Sequence, residues 1–216
     1  MKKLTSYCKV CNSEVFALQD IQFNMIYEKC SNCGFIHLAN EHHVSFDEER
    51  AEYDLHENSI EDEGYVNYLD RFLVAAVDSF IKEGNALDFG CGPEAVLAEL
   101  LMRRGFSTKT YDRHFDHDAD ALETKYDLIT STEVFEHFHD PRIEMEKISA
   151  LLNSGGILAI MTSVPPDEEK FMKWGYRREQ THISFFTKKS LEILGAEFNL
   201  EVVYHDNKHV TVFRKH

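Results

Sequence analysis

The sequence predicts an α/β protein, a three-layer sandwich around a mostly parallel sheet that ends in an antiparallel hairpin. Apolar segments alternate with helical segments from residue 65 onward, which is the pattern of a parallel sheet. Two β segments joined by polar residues close the chain, and four of the 5 cysteines lie in two pairs within the first forty residues. With 216 residues, 43% of them hydrophobic, the chain can bury one full core and a small appendage. The predicted units are residues 1–40, 41–64 and 65–216.

The cysteine pairs have the spacing of a zinc ribbon. Cys8 and Cys11 form one C-x-x-C pair, Cys30 and Cys33 form the other, and the segments EVFALQD and QFNMIYEK between them predict short strands. Four thiolates with this spacing are typical of a tetrahedral zinc site. Because all four positions are cysteine, we expect the zinc to be structural. Two redox-active motifs are the competing interpretation, but no helix follows the first cysteine as such motifs require.

The next unit, residues 41–64, is predicted to be an acidic connector. Asp and Glu dominate this stretch, and its only Lys or Arg is Arg50, a composition typical of a solvated helical face. Two residues here and one at the start of the next unit differ from their acidic surroundings and are interpreted either as packing anchors or as a lid over a bound ligand: Tyr53, His56 and Tyr65.

The α/β unit begins with a predicted amphipathic helix, GYVNYLDRFLVAAVDSFIK, which extends to Lys82. The segment NALDFG follows without polar alternation, as expected of a central parallel strand buried on both faces. EAVLAELLMRRG predicts a second helix that ends at Gly105, a C-cap position. STKTYD then predicts a second strand, which ends at Asp112.

The pattern continues to the end of the chain. YDLITSTEV predicts a buried strand, a helix is expected from Pro141 to Leu152, and GGILAIMTSV predicts the next strand. TKKSLEILGAEF predicts the last helix, with Thr187 as its N-cap. LEVVYHD and HVTVFRK predict the closing hairpin.

The loop after NALDF indicates a nucleotide-type cofactor. Residues 90–95 fit G-x-G-x-x-G/A and Asp112 lies twenty residues beyond Gly92, so an NAD-dependent dehydrogenase is a real competitor. However, Asp88 precedes the loop and Glu94 is expected in the first helical turn, where carboxylates repel a pyrophosphate. S-adenosylmethionine carries an amino group and a sulfonium but no phosphate, so these residues favour it over NAD.

Several motifs together resemble the class I S-adenosylmethionine-dependent methyltransferases, over residues 65–213. They are LDFGCG, the acidic residue that ends the next strand, YDLITSTEVFEHFHDP and the closing hairpin. Within that superfamily the chain looks like small bacterial methyltransferases of types 11, 12 and 23, which carry Y-x-x-H-x-N before GY and YRR-x-x-THxxF later. Here these segments are residues 53–58, 64–65 and 176–185.

The resemblance implies a Rossmann-like sheet of the seven-stranded type and a cofactor that lies over Gly90, Cys91 and Gly92. Asp112 is then expected to hold both ribose hydroxyls. The methionine side is expected at the end of the following strand, at Ser131, Thr132 and Glu133. The adenine contact is open between Arg113, Phe115 and Asp118. Two departures from the pattern are Glu94, where many relatives have glycine, and the short path from Asp112 to Tyr126.

Methyl transfer needs a positioned nucleophile, and it needs a base only where the acceptor must lose a proton. His137 and His182 are the predicted bases, each weighed against a purely structural role. Trp174, Tyr176 and Arg177 are predicted to form a wall and an anion clamp for the acceptor. The surroundings of three further histidines predict a solvated loop for them: His114, His117 and His139.

The composition of the chain limits which chemical class of acceptor is expected. A formal net charge of −15 works against binding a phosphate backbone, so a small molecule is expected and nucleic acid is disfavoured. An RNA methyltransferase with a substrate-recognising ribbon, and a cofactor-binding protein without turnover, remain the alternatives. The sequence shows no membrane span or signal peptide, which predicts a cytoplasmic protein, and it does not indicate the oligomeric state.

Overall fold

The computed structural model describes residues 3–54 and 58–216. Its strands are β1 (Lys3–Tyr7), β2 (Glu14–Asp20), β3 (Met25–Cys30), β4 (Ile36–Leu38), β5 (Asn85–Phe89), β6 (Ser107–Tyr111), β7 (Tyr126–Thr132), β8 (Leu152–Met161), β9 (Ser184–Phe185), β10 (Leu200–His205) and β11 (Val210–Lys215). Its helices are α1 (Phe46–Tyr53), α2 (Glu63–Ala76), α3 (Val96–Arg103), α4 (Pro141–Leu151), α5 (Glu168–Phe171) and α6 (Lys188–Glu197). Within these ranges, no helix combines the length and the apolar character that crossing a membrane requires.

The larger sheet has six strands in the order β10-β11-β8-β7-β5-β6. Strands β6, β5, β7 and β8 pair in parallel, whereas β11 pairs antiparallel with both β8 and β10. This arrangement confirms the predicted α/β fold with its closing hairpin. The sheet has six strands rather than seven because the short path between β6 and β7 holds only a tight turn and the 3₁₀ helix Ala119–Leu122.

Alternate residues of the central strands face two separate cores, as expected of a sheet covered by helices on both sides. In β8, Ile157 and Ala159 pack with α2 and α3, whereas Leu158 and Ile160 pack with α4 and α6. Each of these four side chains is at most 2% exposed. Full burial of a large apolar side chain contributes roughly 1.5–3 kcal/mol, so this two-sided packing fixes the strand ends that carry the polar residues described below.

The ribbon is joined to the larger domain through a shared antiparallel sheet in the order β1-β2-β3-β4-β9. Its last strand belongs to the loop before α6, and Ile36 of β4 lies opposite Phe185 of β9. Phe35 also packs on Phe186 with ring centroids 4.9 Å apart, in the same core as α4 and α6. The ribbon and the larger domain therefore share hydrophobic packing.

Two helices differ from their predicted limits. Helix α2 ends at Ala76 rather than near Lys82, because the chain turns there and the N–H of Asp78 bonds back to the Leu73 carbonyl at 3.0 Å. Helix α3 begins at Val96, because Ala95 before it has φ 45° in the left-handed region. Glu94 is exposed and precedes the helix, so its predicted place in the first helical turn is wrong.

Candidate functional site

The candidate site lies where the parallel strands β5, β6 and β7 end. Strand β5 is central, with β6 on one side and β7 on the other, so the connections leave it in opposite directions. Such a switch point opens a crevice beyond the carboxyl ends of the strands, where α/β proteins bind ligands. The polar residues that end these strands, Asp88, Asp112 and Glu133, therefore converge on one edge of the sheet.

The glycine loop after β5 has one closely packed glycine and one open one. Gly90 has φ 83°, and a Cβ there would lie 2.3 Å from a methyl of Val134. Its N–H donates to the Tyr111 carbonyl at 2.7 Å, which ties the loop to the end of β6. Gly92 has φ 66° and open space where a Cβ would point. A ligand thus has close access to the backbone at Gly92, whereas Gly90 is required by packing.

Asp112 is held in place by the backbone around it. One carboxylate oxygen accepts from the Gly92 N–H at 2.9 Å, and the other accepts from the N–H groups of His114 at 2.7 Å and Phe115 at 3.1 Å. The residue is 8% exposed. An ionised carboxylate has about four acceptor sites, so this one keeps capacity for a ligand hydroxyl while its orientation is fixed.

Buried polar atoms without a hydrogen-bond partner lie at the ends of β5 and β7. Asp88 is 1% exposed, and one of its oxygens accepts from the Thr130 hydroxyl at 3.2 Å. Its other oxygen and the Ser131 hydroxyl have no hydrogen-bond partner in the part of the chain that is described. Burial raises the pKa of Asp88 to about 7. Because unpaired buried polar groups are costly, these atoms fit a polar or cationic ligand near the loop.

Two buried glutamates share one tyrosine at the end of β7. The Tyr176 hydroxyl lies 3.0 Å from a Glu133 oxygen and 2.5 Å from a Glu136 oxygen, and Tyr68 donates to Glu133 at 2.9 Å. Burial and the neighbouring Glu136 charge raise the pKa of Glu133 to about 7. The Tyr176 hydroxyl has one proton and can donate it to only one carboxylate. Both contacts are therefore hydrogen bonds only when the other glutamate is protonated and donates to the Tyr176 oxygen.

The two predicted bases come together beside this pair. The rings of His137 and His182 lie 4.8 Å apart and meet edge to face. In each ring Nδ1 faces a backbone carbonyl, that of Thr181 at 2.9 Å for His137 and that of Tyr176 at 2.6 Å for His182. A carbonyl only accepts, so Nδ1 carries the proton and Nε2 carries the lone pair of a neutral ring. Burial lowers the pKa of His137, which favours that neutral form.

Helix α1 of the acidic connector covers this edge of the sheet. Tyr53, at its end, contacts the rings of both His114 at 5.0 Å and His137 at 5.3 Å. Phe46, at its start, stacks on His114 at 4.5 Å. Burial and the nearby charges of Asp88 and Glu133 raise the pKa of Tyr65 to about 12. The Tyr65 hydroxyl therefore lies close to both carboxylates. Of the three predicted lid residues, Tyr53 and Tyr65 thus border the site, and His56 lies outside the described residues.

A hydrogen-bonded histidine network anchors α1. His43 bonds the Leu38 carbonyl through Nε2 at 3.0 Å and His139 through Nδ1 at 3.0 Å, and His139 bonds Glu49 at 3.1 Å. These bonds connect the Leu38 carbonyl, through the two rings, to the buried Glu49 carboxylate on α1. His114, 3.6 Å from Glu49 and 9% exposed, belongs to the same network.

The prediction of a solvated loop is therefore wrong for two of the three histidines. His114 and His139 each pair with Glu49, which lies on another segment of the chain. His117 is exposed, as expected.

Removing the Glu49 charge is expected to loosen the helix. Glu49→Gln removes the carboxylate that bonds His139 and faces His114, and it should lower the free energy of unfolding by about 1–3 kcal/mol. Urea denaturation measures this loss, with Glu52→Gln on the same helix as the matched control. Equal stability of the two variants would show that the network does not anchor α1.

The acceptor-side predictions separate into two groups. Trp174 and Tyr176 pack together with centroids 5.0 Å apart. Arg177, however, is 3% exposed and points away from the site, into the ribbon. Its guanidinium pairs with Asp20 at 2.6 Å and donates to the Phe171 carbonyl at 2.8 Å. Because this charge is already neutralised, Arg177 does not fit the predicted anion clamp.

The remaining predicted cofactor residues border the loops. The Arg113 guanidinium lies 5.1 Å from the Phe46 ring, and Phe115 lies beneath Arg50 at 4.3 Å, so both contact α1. Asp118 caps a turn by accepting the Asp120 N–H at 2.9 Å. Thr132 is half-buried at the end of β7. The Cys91 thiol donates to the Gly92 carbonyl at 3.3 Å, and burial raises its pKa, as expected of a packing residue rather than a nucleophile.

The ribbon cysteines fit a zinc site. The four sulfur atoms lie within 4.8 Å of one another, with separations of 3.6 Å for Cys8–Cys33, 3.4 Å for Cys11–Cys30 and 3.5 Å for Cys11–Cys33. Sulfurs bound to one zinc at about 2.3 Å lie about 3.8 Å apart. Backbone N–H groups of Val10, Asn32 and Cys33 point at these sulfurs at 3.4 Å, as in the turns that hold thiolates.

Comparisons with known proteins agree with this geometry. Residues 62–205 match the family model described as a methyltransferase domain. No curated protein sequence matches the chain. Among solved structures, the chain is similar to CalO1, a methyltransferase of calicheamicin biosynthesis in its SAH-bound form, with 16% identity over 71% of this chain and 55% of that one and a TM-score of 0.52.

Two further solved structures are similar to the chain. One is an O-methyltransferase family protein from Burkholderia thailandensis, with 11% identity over 71% of this chain and 55% of that one and a TM-score of 0.49. The other is a SAM-dependent methyltransferase from Methanosarcina mazei, with 14% identity over 64% of this chain and 96% of that one and a TM-score of 0.49. The chain spans about half the length of CalO1 and of the Burkholderia protein. At these identities, the likeness to CalO1 supports the fold alone.

Proposed function

Because the chain belongs to the family of methyltransferase domains, we propose that it transfers a methyl group from S-adenosylmethionine to a small-molecule acceptor. The observation that carries the proposal is the convergence of an open backbone at Gly92, an oriented Asp112 and buried polar atoms without a partner at the switch point of the sheet. Each of these parts suits a cofactor that has a ribose and a cationic amino acid portion and no phosphate.

In this proposal the cofactor lies over Gly90, Cys91 and Gly92. The Asp112 carboxylate binds the ribose hydroxyls, and Arg113 borders the adenine. The amino acid portion lies toward the end of β7, where Asp88 and three strand-end residues are available: Ser131, Thr132 and Glu133. The unpartnered oxygen of Asp88 and the unpartnered Ser131 hydroxyl support this assignment, because a bound ammonium group or an ordered water would satisfy them.

The acceptor is proposed to lie beside the histidine pair and close to Trp174 and Tyr176, the Tyr176 ring itself packing on His182 with centroids 4.2 Å apart. S-adenosylmethionine supplies an already electrophilic methyl group, so the chain's own residues position the acceptor and exclude water. His137 and His182 each hold a proton on Nδ1, which leaves Nε2 as the basic nitrogen and supports a role in taking or orienting the acceptor's proton. Tyr53, whose ring contacts His137, is proposed to close this side of the site.

A small acceptor is favoured over RNA. The formal net charge of −15 opposes a polyanionic substrate, and Arg177, which lies next to the predicted acceptor wall, is neutralised by Asp20. The ribbon is proposed to bind one structural zinc through Cys8, Cys11, Cys30 and Cys33, and its shared sheet supports a role in shaping the loop that carries His182.

The role of Asp112 is testable by cofactor binding. Asp112→Asn removes a charged acceptor of the ribose hydroxyls and should weaken S-adenosylhomocysteine binding by about 10- to 100-fold, which corresponds to about 1.5–3 kcal/mol. Isothermal titration calorimetry measures the affinity, and Asp120→Asn, in the exposed turn that follows, is the control. Unchanged affinity in Asp112→Asn would refute the ribose role and leave the fold assignment intact.

A further inference from the structure

A three-residue cluster beside the proposed acceptor position has the composition of a metal site. Glu136, His137 and His182 each offer one ligand atom, and these atoms lie within 4.8 Å of one another. Ligands bound to one zinc ion at about 2.0–2.2 Å lie about 3.4 Å apart, so side-chain adjustments of about 1 Å bring this set into coordination distance. The cluster involves no residue of the ribbon.

Both imidazoles are oriented as metal ligands usually are. Each donates its Nδ1–H to a backbone carbonyl, at 2.9 Å from Thr181 and 2.6 Å from Tyr176. This outer bond fixes the tautomer that places the lone pair on Nε2, and it is the arrangement found around ligating histidines. The two rings therefore present the same nitrogen, from two different segments of the chain.

The carboxylate supplies a second and independent observation. Glu136 is fully buried at 0% exposed, and its Oε2 has no hydrogen-bond partner among the residues described. Its Oε1 is bonded by the Tyr176 hydroxyl at 2.5 Å. A buried carboxylate oxygen without a partner is costly, and a bound cation removes that cost. The Tyr176 hydroxyl then serves as the outer hydrogen bond of a ligating carboxylate.

We propose that Glu136, His137 and His182 bind one divalent transition metal ion, with Zn²⁺ as the best match to the donor set. Two neutral imidazoles and one carboxylate form a set that leaves a position open, whereas Mg²⁺ and Ca²⁺ prefer oxygen ligands alone. The proposed acceptor lies beside the same two histidines, so the acceptor class is a molecule with a hydroxyl or carboxylate oxygen able to bind the metal. This second statement rests on the proposed function.

In such a complex the bound acceptor hydroxyl releases its proton to solvent. The resulting oxygen anion forms the new O–CH3 bond as the S–CH3 bond breaks, and the electron pair of that bond returns to sulfur. No redox change occurs. The metal thus replaces the base role proposed above for His137 and His182, because their Nε2 lone pairs bind it, and it lowers the pKa of the bound hydroxyl as it does for bound water.

The test is the zinc content of the full, tag-free chain after equilibration with excess ZnCl2 and gel filtration. Elemental analysis should give two zinc ions per chain for the wild type and one each for His137→Gln and His182→Gln. His205→Gln, which changes a histidine on β10, should keep two. Tyr176→Phe removes the hydrogen bond to Glu136 and should weaken zinc binding at this site about 10- to 100-fold in calorimetry. MgCl2 at the same concentration should not compete.

The outcomes separate the two proposals. Circular dichroism shows whether each histidine variant folds. If one does not, the test is a calorimetric titration of the wild-type protein whose ribbon already holds its zinc. This titration must show that one further zinc ion binds per chain. One zinc per chain in the wild type overturns the metal site, and S-adenosylhomocysteine binding measured on the same sample shows whether the proposed function still holds. Two zinc ions without cofactor binding would overturn the proposed function and leave the metal site.

Discussion

Replacing Cys30 by serine is expected to remove one zinc ion per chain and to destabilise the whole protein. Cys30 is 2% exposed and lies in the same core as Phe186 and Leu191 of the larger domain. Zinc binding contributes on the order of 10 kcal/mol to the folding of small ribbons, so its loss should lower the free energy of unfolding by about 5 kcal/mol or more. Elemental analysis and urea denaturation measure the two effects.

Cys91→Ser is the matched control, because Cys91 is the one cysteine outside the ribbon. That variant should keep the wild-type zinc content and lose less than about 1.5 kcal/mol, the usual range for a small side-chain change. Equal zinc content in Cys30→Ser and Cys91→Ser would contradict the assignment of the ribbon as a metal site.

The second large effect is expected at Arg177. The Arg177 and Asp20 side chains are 1% and 4% exposed, their charged groups lie 2.6 Å apart, and they join the loop before α6 to the end of β2. Arg177→Met leaves the Asp20 charge buried and unpaired, which typically costs about 3–5 kcal/mol. The adjacent Arg178 is exposed, so Arg178→Met should change stability by no more than about 0.5 kcal/mol.

A double variant tests whether Arg177 has a structural role rather than a role in substrate binding. This variant, Asp20→Asn with Arg177→Met, removes both charges and should recover part of the lost stability, since no unpaired charge remains. Equal stability of Arg177→Met and Arg178→Met in urea denaturation would mean that the buried pair does not hold the ribbon in place.

Local patterns predicted most of the larger domain. The apolar run of β5, the helical spacing of α4 and the cap at Thr187 depend on neighbours in sequence, and the structure has all three. Asp112 and the loop glycines Gly90 and Gly92 could be identified from the sequence, because their spacing from a predicted strand is characteristic. The contact between His137 and His182 could be expected only from the family resemblance, because the spacing of these two residues in the sequence does not predict it.

The contacts between units could not be predicted in this way. Strand β9 has two residues and pairs with the ribbon, so it has no periodicity to detect. Arg177 stands next to an aromatic pair and looks like a ligand clamp until Asp20, far away in sequence, is placed beside it. Glu136 likewise reads as part of a surface-like TEVFEH segment, and only its burial shows that its carboxylate is unusual.

The structure removes one of the sequence arguments that favoured S-adenosylmethionine over NAD. Glu94 precedes α3 and is exposed, so it does not oppose a pyrophosphate at the helix start. The preference for S-adenosylmethionine over NAD depends instead on Asp88, whose buried carboxylate lies beneath the loop, and on the family match.

The central proposal, a cofactor held by the Gly90–Gly92 loop and Asp112, is tested most directly by thermal unfolding with each ligand in turn. At one hundred times its dissociation constant, S-adenosylmethionine or S-adenosylhomocysteine should stabilise the chain by about 2.7 kcal/mol. For a chain of this length that is a rise of roughly 5–10 °C in the unfolding temperature. NAD should cause no shift. A shift with NAD and none with either S-adenosyl compound would contradict the proposed function.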